Sequence, residues 1–231
     1  MLNGLRDRIL RNAYQHSKKC SRINLYRMLS ASISDYRLAA PAVTLNIGSG
    51  GEIESTINGA GARPTSVDID SSRKPDIVAS IERLHMIQDA SFDAVFCMEV
   101  LEHVRDPFAA SSEIKRVLRP GGVVIGSTPF ILGIHDAPND FYRFTEHGIR
   151  HLFRELVEVE VTPRNNVFDA AKVIPMRLFA VGSPQEKYKL AFRWPLIRLA
   201  NWLYSIAGRG ITNSDATTGY FFVFRKDFAD R

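Results

Sequence analysis

The stretch that decides the fold reads Val43-Thr44-Leu45-Asn46-Ile47-Gly48-Ser49-Gly50-Gly51, a short apolar run that ends in a glycine-rich turn. About one βαβ half-unit later, a second apolar run closes with Val67-Asp68-Ile69-Asp70. Because glycine lacks a Cβ, its backbone can turn tightly and approach a ligand, and a carboxylate at the end of the second strand can accept the hydroxyls of a ribose. The two segments together predict a site for a nucleoside-containing cofactor.

The helix entrance after the turn distinguishes between cofactors. A dinucleotide site would place a third glycine three positions after Gly50, where this chain has Ile53. Glu52 and Glu54 at the same entrance would repel a pyrophosphate, whereas they suit the helix dipole and tolerate a cationic ligand. S-adenosylmethionine (SAM), which carries a sulfonium and an ammonium, therefore fits these residues better than NAD does.

Two more motifs follow in the same order. They are Ser91-Phe92-Asp93-Ala94-Val95-Phe96-Cys97-Met98-Glu99-Val100-Leu101-Glu102-His103-Val104 and Arg116-Val117-Leu118-Arg119-Pro120-Gly121-Gly122. With the first two segments, they resemble the class I SAM-dependent methyltransferases of the type 11 group, over roughly residues 42–161. The resemblance implies SAM as cofactor and an α/β fold. It also implies a Rossmann-like, seven-stranded and mostly parallel sheet, with an antiparallel C-terminal hairpin and helices on both faces.

Composition limits the class of protein. A chain of 231 residues with 45% apolar content can bury one substantial core. Cys20 and Cys97 lie in unrelated contexts, so we expect neither a disulfide framework nor a metal site, and a reducing cytoplasm as the compartment. No apolar run reaches the roughly 18–20 residues needed to span a bilayer. The net charge of +5 makes the location of the basic residues more informative than their sum.

The pattern along the chain predicts its organisation. Residues 1–40 read as a basic helical cap, and residues 41–231 as a methyltransferase domain with a helical insertion at about 164–214. The predicted strands are 43–47, 65–69, 76–79, 93–98, 122–127, 157–161 and 219–225, and the predicted helices of the domain are 52–60, 106–118 and 145–155. Pro120-Gly121-Gly122 is predicted to form a turn before the fifth strand.

The cofactor residues follow from the motifs. Gly48 and Gly50 should let the chain pass under the methionine part of SAM, with Ser49 offering backbone or hydroxyl contacts. Where most relatives have an acid, this chain has Asn46, so Glu52 or Glu99 is the alternative contact for the ammonium. The remaining predicted cofactor contacts are Asp68 for the ribose, Ile69 for the adenine face, Ser80 and Ile81 for the adenine edge, and Met98 and Glu99 beside the transferred methyl. Asp70 competes with Asp68, but we expect it to cap a turn with Ser71 or Ser72.

Residues 128–145 should set substrate choice, since they follow the fifth strand at the carboxyl edge of the sheet. His135 is the candidate general base, Asp136 or Asp140 would orient it, and Arg143 could hold an anionic acceptor. The alternative is that Asp140 and Arg143 pair with each other to fix the loop while Thr145 caps the next helix.

These residues predict methyl transfer from SAM to a small-molecule or glycan acceptor, most readily at oxygen. N- or C-methylation and a catalytically silent SAM-binding partner protein are the alternatives. The segment after the fourth strand, Cys97-Met98-Glu99-Val100, lacks the aromatic-proline tetrapeptide of many DNA methyltransferases, which argues against nucleic acid. Residues 187–204 alternate basic and aromatic residues with an apolar face, a pattern that fits a lid, a dimer surface or a peripheral contact with the inner face of the membrane.

Overall fold

A computed structural model describes residues 8, 12, 15–181, 183, 185–186, 189, 192–211 and 215–229. Parts of the predicted N-terminal cap and of the predicted contact segment 187–204 lie outside these residues. The chain forms two compact units. The helical unit contains Met1–Asn24, Phe130–Ala137 and Pro163–Gly219, and the sheet unit contains Leu25–Pro129, Pro138–Thr162 and Tyr220–Arg231.

One seven-stranded sheet carries the predicted topology. Its strands are β1 (Thr44–Ile47), β2 (Thr65–Asp68), β3 (Ile77–Val78), β4 (Phe92–Met98), β5 (Leu118–Pro129), β6 (Val157–Pro163) and β7 (Gly219–Arg225). They lie in the order β3-β2-β1-β4-β5-β7-β6, with parallel pairing from β3 to β5 and an antiparallel arrangement of β5, β7 and β6. The predicted Rossmann-like fold is therefore confirmed.

The helices alternate with these strands. They are α1 (residues 15–21), α2 (Leu25–Asp35), α3 (Gly51–Gly59), α4 (Pro107–Val117), α5 (Glu146–Leu152), α6 (Val167–Val181) and α7 (Trp194–Ala207). Each of α4 and α5 begins at a residue whose side chain accepts hydrogen bonds from the first turn, Asp106 for α4 and Thr145 for α5. The predicted capping role of Thr145 is thus confirmed.

Successive side chains of β4 point to opposite faces of the sheet, and nearly all of them are buried, so both faces of the sheet are covered there. Phe96 and Met98 pack in a cluster with Leu29 of α2 and Ile57 of α3. On another part of the sheet, the Phe153 ring after α5 lies 5.1 Å from each of the rings of Phe222 and Phe224 in β7. All these side chains are at most 4% exposed, so they form the interior of the sheet unit.

The predicted turn at Pro120-Gly121-Gly122 is wrong, because β5 runs through these residues. Gly121 adopts a φ of +80°, which distorts the strand without ending it. Its amide donates to the Lys226 carbonyl at 3.0 Å, and the Lys226 amide donates to the Gly122 carbonyl at 2.9 Å. Pairing with the chain just past β7 therefore holds the proline-glycine segment in an extended conformation.

Helix α7 of the helical unit has an unusual pattern of burial. The polar Asn201 is the one buried residue of α7, and its Nδ2 lies 3.4 Å from the Met176 sulfur of α6. Four apolar side chains at helical spacing are between 42% and 67% exposed, namely Leu196, Leu199, Leu203 and Ile206. The apolar stripe predicted within 187–204 is thus exposed in the described part of that segment. None of the described helices is long and apolar enough to cross a membrane.

Gly126 of β5 offers a test of the core. A Cβ at this position would lie 2.2 Å from Cζ of Phe222 and 2.8 Å from the Cys97 carbonyl oxygen. We expect Gly126→Ala to lower the free energy of unfolding by about 1–3 kcal/mol, since the ring must move against a packed core. Chemical denaturation would measure the change.

Gly59→Ala is the matched control. Gly59 is helical, and a Cβ there would meet nothing within 4 Å. It should leave stability unchanged or raise it by up to about 1 kcal/mol, because alanine favours the helix. Equal stability of the Gly126→Ala variant and the unmodified chain would contradict the close packing of β5 against β7.

Candidate functional site

The turn between β1 and α3 depends on glycine at its first position. Gly48, Gly50 and Gly51 all have positive φ values, of +86°, +97° and +73°. A Cβ on Gly48 would lie 2.8 Å from Cγ2 of Val100, whereas Gly50 and Gly51 have open space around them. Side chains other than hydrogen are therefore excluded at Gly48 by both conformation and contact, and the surface above Gly50 and Gly51 is accessible to a ligand.

Asp68 at the end of β2 holds this turn in place. Its Oδ2 accepts from the Ser49 amide at 2.9 Å, and its Oδ1 accepts from the Asp70 amide at 2.8 Å. The Arg73 guanidinium lies 3.6 Å from Oδ2 and donates to the Ser49 carbonyl at 3.1 Å. An ionised carboxylate offers about four lone-pair sites, so Asp68 can accept further hydrogen bonds besides those from the two backbone amides.

Asn46 of β1 lies directly before the turn and is fully buried. Its Nδ2 lies 3.4 Å from the Gly48 carbonyl, whereas its Oδ1 has no hydrogen-bond partner within the described part of the chain. A buried acceptor without a donor is costly, so the site favours a ligand that brings an N–H group. An ammonium group meets that requirement, and in this respect the residues present fit SAM.

Two carboxylates at the start of α3 add negative charge. Glu52 accepts from the Tyr26 hydroxyl of α2 at 2.7 Å, and Glu54 accepts from the Gly50 amide. Both acids stand in the first turn of α3, where the helix dipole favours them. Their negative charge would favour a cation over a pyrophosphate, and this preference stays a prediction.

Asp70 and Ile69 follow Asp68 at the edge of the site. The Asp70 carboxylate accepts from the Ser72 amide at 2.9 Å and caps the short 3₁₀ turn Ser71–Arg73, which confirms the predicted capping role. Hydrogen bonds from Ser72 hold the pKa of Asp70 below its ordinary value. Ile69 is 75% exposed, so its side chain is accessible to a flat ring such as adenine.

The predicted adenine edge lies beyond β3. Ser80 is partly buried and its hydroxyl donates to Oε2 of Glu82 at 3.3 Å, while Ile81 is 6% exposed. Oε1 of Glu82 accepts from the Asp106 amide at 2.7 Å, which ties this segment to the start of α4. The sequence analysis does not predict this linking role of Glu82. The signal for it is an acidic residue two positions after a serine in a loop, in Ser80-Ile81-Glu82.

Glu99 follows the end of β4 in a strained conformation. Its φ is +57°, in the left-handed region that favours glycine, and its amide donates to the Ser127 carbonyl at 2.9 Å. Its Oε1 accepts from the Ser127 hydroxyl of β5 at 2.9 Å. Met98 before it is 4% exposed. Strain of this kind clusters at functional sites, and it aims the Glu99 carboxylate at the carboxyl edge of the sheet.

The loop of residues 138–144 is fixed to the 3₁₀ turn Leu101–His103. Both the Phe141 and the Tyr142 amides donate to the Glu102 carbonyl, at 2.7 and 3.2 Å. His103 Nδ1 lies 2.5 Å from the Asn139 carbonyl, so His103 helps to hold this loop in place. The loop thus has a defined conformation beside the end of β4.

Asp140 and Arg143 form a bidentate ion pair within this loop. The two guanidinium nitrogens of Arg143 lie 2.6 and 2.7 Å from the two carboxylate oxygens of Asp140, whose side chain is 1% exposed. The hydrogen bonds to Asp140 raise the pKa of Arg143. The pairing predicted as an alternative is therefore present, and catalytic roles for these two residues stay predictions.

His135 and Asp136 lie in a different part of the chain. Both belong to Phe130–Ala137 of the helical unit, whereas Asp140 and Arg143 belong to the sheet unit. His135 is partly buried, and Asp136 is exposed with a φ of +54°. The four predicted catalytic residues are thus divided between the two units, while all ten predicted cofactor residues lie in the sheet unit.

The Asp140 ion pair can be tested through stability. Asp140→Ala removes the buried carboxylate and leaves the Arg143 guanidinium without it, so we expect a loss of about 2–3 kcal/mol, below the 3–5 kcal/mol of a fully buried pair. Chemical denaturation at neutral pH would measure the loss.

The control breaks an exposed pair. Arg150 and Glu158 lie 2.9 Å apart with both side chains more than a third exposed, so Glu158→Ala should cost less than about 1 kcal/mol. Similar losses in the two variants would show that burial of Asp140 does not strengthen its pairing.

Part of this chain is similar to known methyltransferases. The methyltransferase-domain family model of the type 11 group matches residues 45–126. A curated relative, the ubiquinone biosynthesis O-methyltransferase of Xanthomonas oryzae pv. oryzae (strain PXO99A), is 39% identical over 104 residues. That alignment covers 38% of this chain and 44% of the relative, so the match spans less than half of the relative's length.

Solved structures share the fold over most of the chain. A 1,6-didemethyltoxoflavin-N1-methyltransferase from Burkholderia thailandensis superposes with a TM-score of 0.53 at 18% identity, over 96% of this chain and 87% of that one. A SAM-dependent methyltransferase from Archaeoglobus fulgidus superposes with a TM-score of 0.54 at 17% identity, over 87% and 94%. The family match over residues 45–126 and the shared strand order show that this part of the chain is similar to the methyltransferase domains of the type 11 group.

Proposed function

We propose that this chain transfers a methyl group from SAM to an oxygen atom of a small-molecule acceptor. The observation that carries the proposal is the arrangement at the β1–α3 turn, where Asp68 fixes the turn through the Ser49 amide at 2.9 Å and Gly48 admits no side chain. The unpartnered Oδ1 of the buried Asn46, within the described residues, supports a cationic amino-acid moiety there. SAM, when bound, supplies the activated methyl group.

In this proposal, different residues of the sheet unit contact different parts of the cofactor. Asp68 would accept the ribose hydroxyls, because its oxygens keep lone pairs after the amide bonds are made. Asn46 would accept from the ammonium, and the exposed Ile69 would pack on adenine. Ser80 and Ile81 would contact the adenine edge, and Met98 and Glu99 would flank the transferred methyl. In this assignment each residue keeps the role that the sequence predicts.

Oxygen as the methylated atom rests on the curated relative, which is an O-methyltransferase by name. The part of this chain that resembles the family carries the cofactor residues, whereas acceptor choice depends on loops outside the central motifs. A solved neighbour with the same fold is an N-methyltransferase by name. N- or C-methylation, a glycan acceptor and a silent SAM-binding role therefore stay as alternatives, and product analysis separates them.

Methyl transfer is an in-line displacement, so alignment and exclusion of water supply much of the acceleration. A hydroxyl acceptor must also lose its proton as the new bond forms. We assign that proton to His135, because histidine is the side chain that most often acts as a general base. Asp140 and Arg143 would act by holding the loop of residues 138–144 in shape, through their bidentate pair at 2.6 and 2.7 Å.

Two neighbouring carboxylates test the cofactor assignment. We expect Asp68→Asn to weaken SAM binding by about 1–3 kcal/mol, since one charged acceptor oxygen is lost. Asp70→Asn makes the same chemical change two residues later and keeps an oxygen that can cap the 3₁₀ turn. It should leave SAM affinity nearly unchanged. Isothermal titration calorimetry would measure both, and a larger effect at Asp70 would reverse the assignment.

A second pair of variants tests the base. His135→Ala should reduce the rate of S-adenosylhomocysteine release in the presence of a small-molecule hydroxyl acceptor by at least about 100-fold, the range of general-base contributions, while SAM affinity stays unchanged. His147→Ala is the control, because the His147 side chain on α5 is 83% exposed. It should leave the rate unchanged.

The outcomes of this assay are distinct. An unchanged rate in His135→Ala, or lost SAM binding, would show that His135 is not the base. Failure of the unmodified chain to release S-adenosylhomocysteine with hydroxyl, amine and glycan acceptors, despite SAM binding, would favour the silent partner.

A further inference from the structure

The helical unit contains a cleft that the proposed methyl transfer does not use. Its volume is about 490 Å³, and it is lined by side chains of α1, α6 and α7. Six of these side chains define its chemistry, namely His16, Lys172, Trp194, Arg198, Trp202 and Ser205. All of them belong to the helical unit. The cleft combines cationic groups, neutral donors and two indole rings.

The orientation of α7 creates this cleft. Trp194, Arg198, Trp202 and Ser205 recur at spacings of four and three residues, so they lie on one face of the helix. The apolar Leu199 and Leu203 lie on the other face and are 53% and 52% exposed. A helix that served only for packing would turn its apolar face inward. Here the polar and aromatic face lines the cleft instead, and its Trp202 is 59% exposed and therefore accessible to a ligand.

Positive charge accumulates in the cleft. Burial and the charges of Lys172, Arg198 and Lys19 lower the pKa of His16. Lys172 is partly compensated, because its Nζ lies 2.6 Å from Oδ1 of Asp169 and 3.3 Å from the Ser205 hydroxyl. Among the described residues no acidic group pairs with Arg198. An anion would therefore gain an uncompensated guanidinium and a nearby ammonium.

We propose that this cleft binds a phosphate group carried on an apolar or aromatic body. Arg198 and Lys172 supply the charge, and a phosphate offers the several acceptor oxygens that a guanidinium, an ammonium and a hydroxyl can share. Trp202, which is 59% exposed, offers its face to the body of the ligand. The site is independent of the SAM site, so it holds whether or not the chain transfers methyl groups.

The tryptophans provide a direct readout. Trp194 and Trp202 are the two tryptophans of the 231-residue chain, and both line this cleft. Titration of the full chain with phenyl phosphate should therefore change the tryptophan emission in a saturable way. Phenol should not do so at the same concentrations. SAM binding, measured separately by calorimetry, reports on the sheet unit and shows that the protein is folded.

Three variants separate the parts of the site. Arg198→Gln should weaken phenyl phosphate binding at least about tenfold, whereas Arg209→Gln, an exposed arginine outside the cleft, should leave it unchanged. By calorimetry, Trp202→Ala should weaken phenyl phosphate about tenfold and leave inorganic phosphate unchanged. Equal losses in the two arginine variants would indicate unspecific charge attraction and overturn the proposal.

A second experiment distinguishes a soluble phosphate ester from the phosphate of a lipid headgroup. Vesicles of phosphatidylcholine with phosphatidylglycerol are compared with pure phosphatidylcholine vesicles by co-sedimentation. Saturable binding of phenyl phosphate that depends on Arg198 identifies a soluble phosphate ester. If phenyl phosphate fails while the anionic vesicles bind through Arg198, the phosphate belongs to a lipid headgroup. If neither binds, or both bind independently of Arg198, the proposal is wrong.

Discussion

The Asp68 carboxylate is the interaction on which the cofactor site depends. It accepts from the Ser49 amide at 2.9 Å on one oxygen and from the Asp70 amide at 2.8 Å on the other. It therefore fixes both the turn after β1 and the turn after β2. The Gly48 amide adds a bond of 2.8 Å to the Val67 carbonyl, which joins the same two strands. If Asp68 accepts the ribose as proposed, these bonds hold its carboxylate in place, so less conformational entropy would be lost on binding.

A second constraint acts after β4, at the same edge of the sheet. The Glu102 carbonyl accepts from two consecutive amides of the loop of residues 138–144, and the Asp140–Arg143 pair closes the loop on itself. The loop is therefore held in part by main-chain hydrogen bonds, which do not depend on the identity of the side chains. The ion pair is the part of this constraint that depends on the sequence. The carboxylate and guanidinium groups of this loop are therefore engaged with each other. Their contribution to a reaction would be positional.

The sequence predicts the sheet and the conformation of the β1–α3 turn well because both depend on local signals, whereas the cofactor contacts stay predictions. Glycines with positive φ at Gly48 and Gly50, and an acid that ends β2, can be recognised from neighbouring residues. Pro120-Gly121-Gly122 misled the prediction because its extended conformation comes from Lys226, more than 100 residues away. The inverted orientation of α7 could not be predicted either. Helical periodicity shows that Leu199 and Leu203 share a face, but it does not tell whether that face is buried.

The distribution of charge gives the net value of +5 a structural meaning. At the start of α3, Glu52 and Glu54 surround a turn that suits a cation, and Asn46 keeps a buried acceptor without a donor among the described residues. In the helical unit, burial and the charges of Lys172 and Arg198 lower the pKa of His16, and the two cationic groups suit an anion. A uniform excess of positive charge would repel SAM from the sheet unit as it attracts phosphate to the helical unit. The local charge of each unit, rather than the net charge of the chain, would therefore decide which ligand that unit attracts.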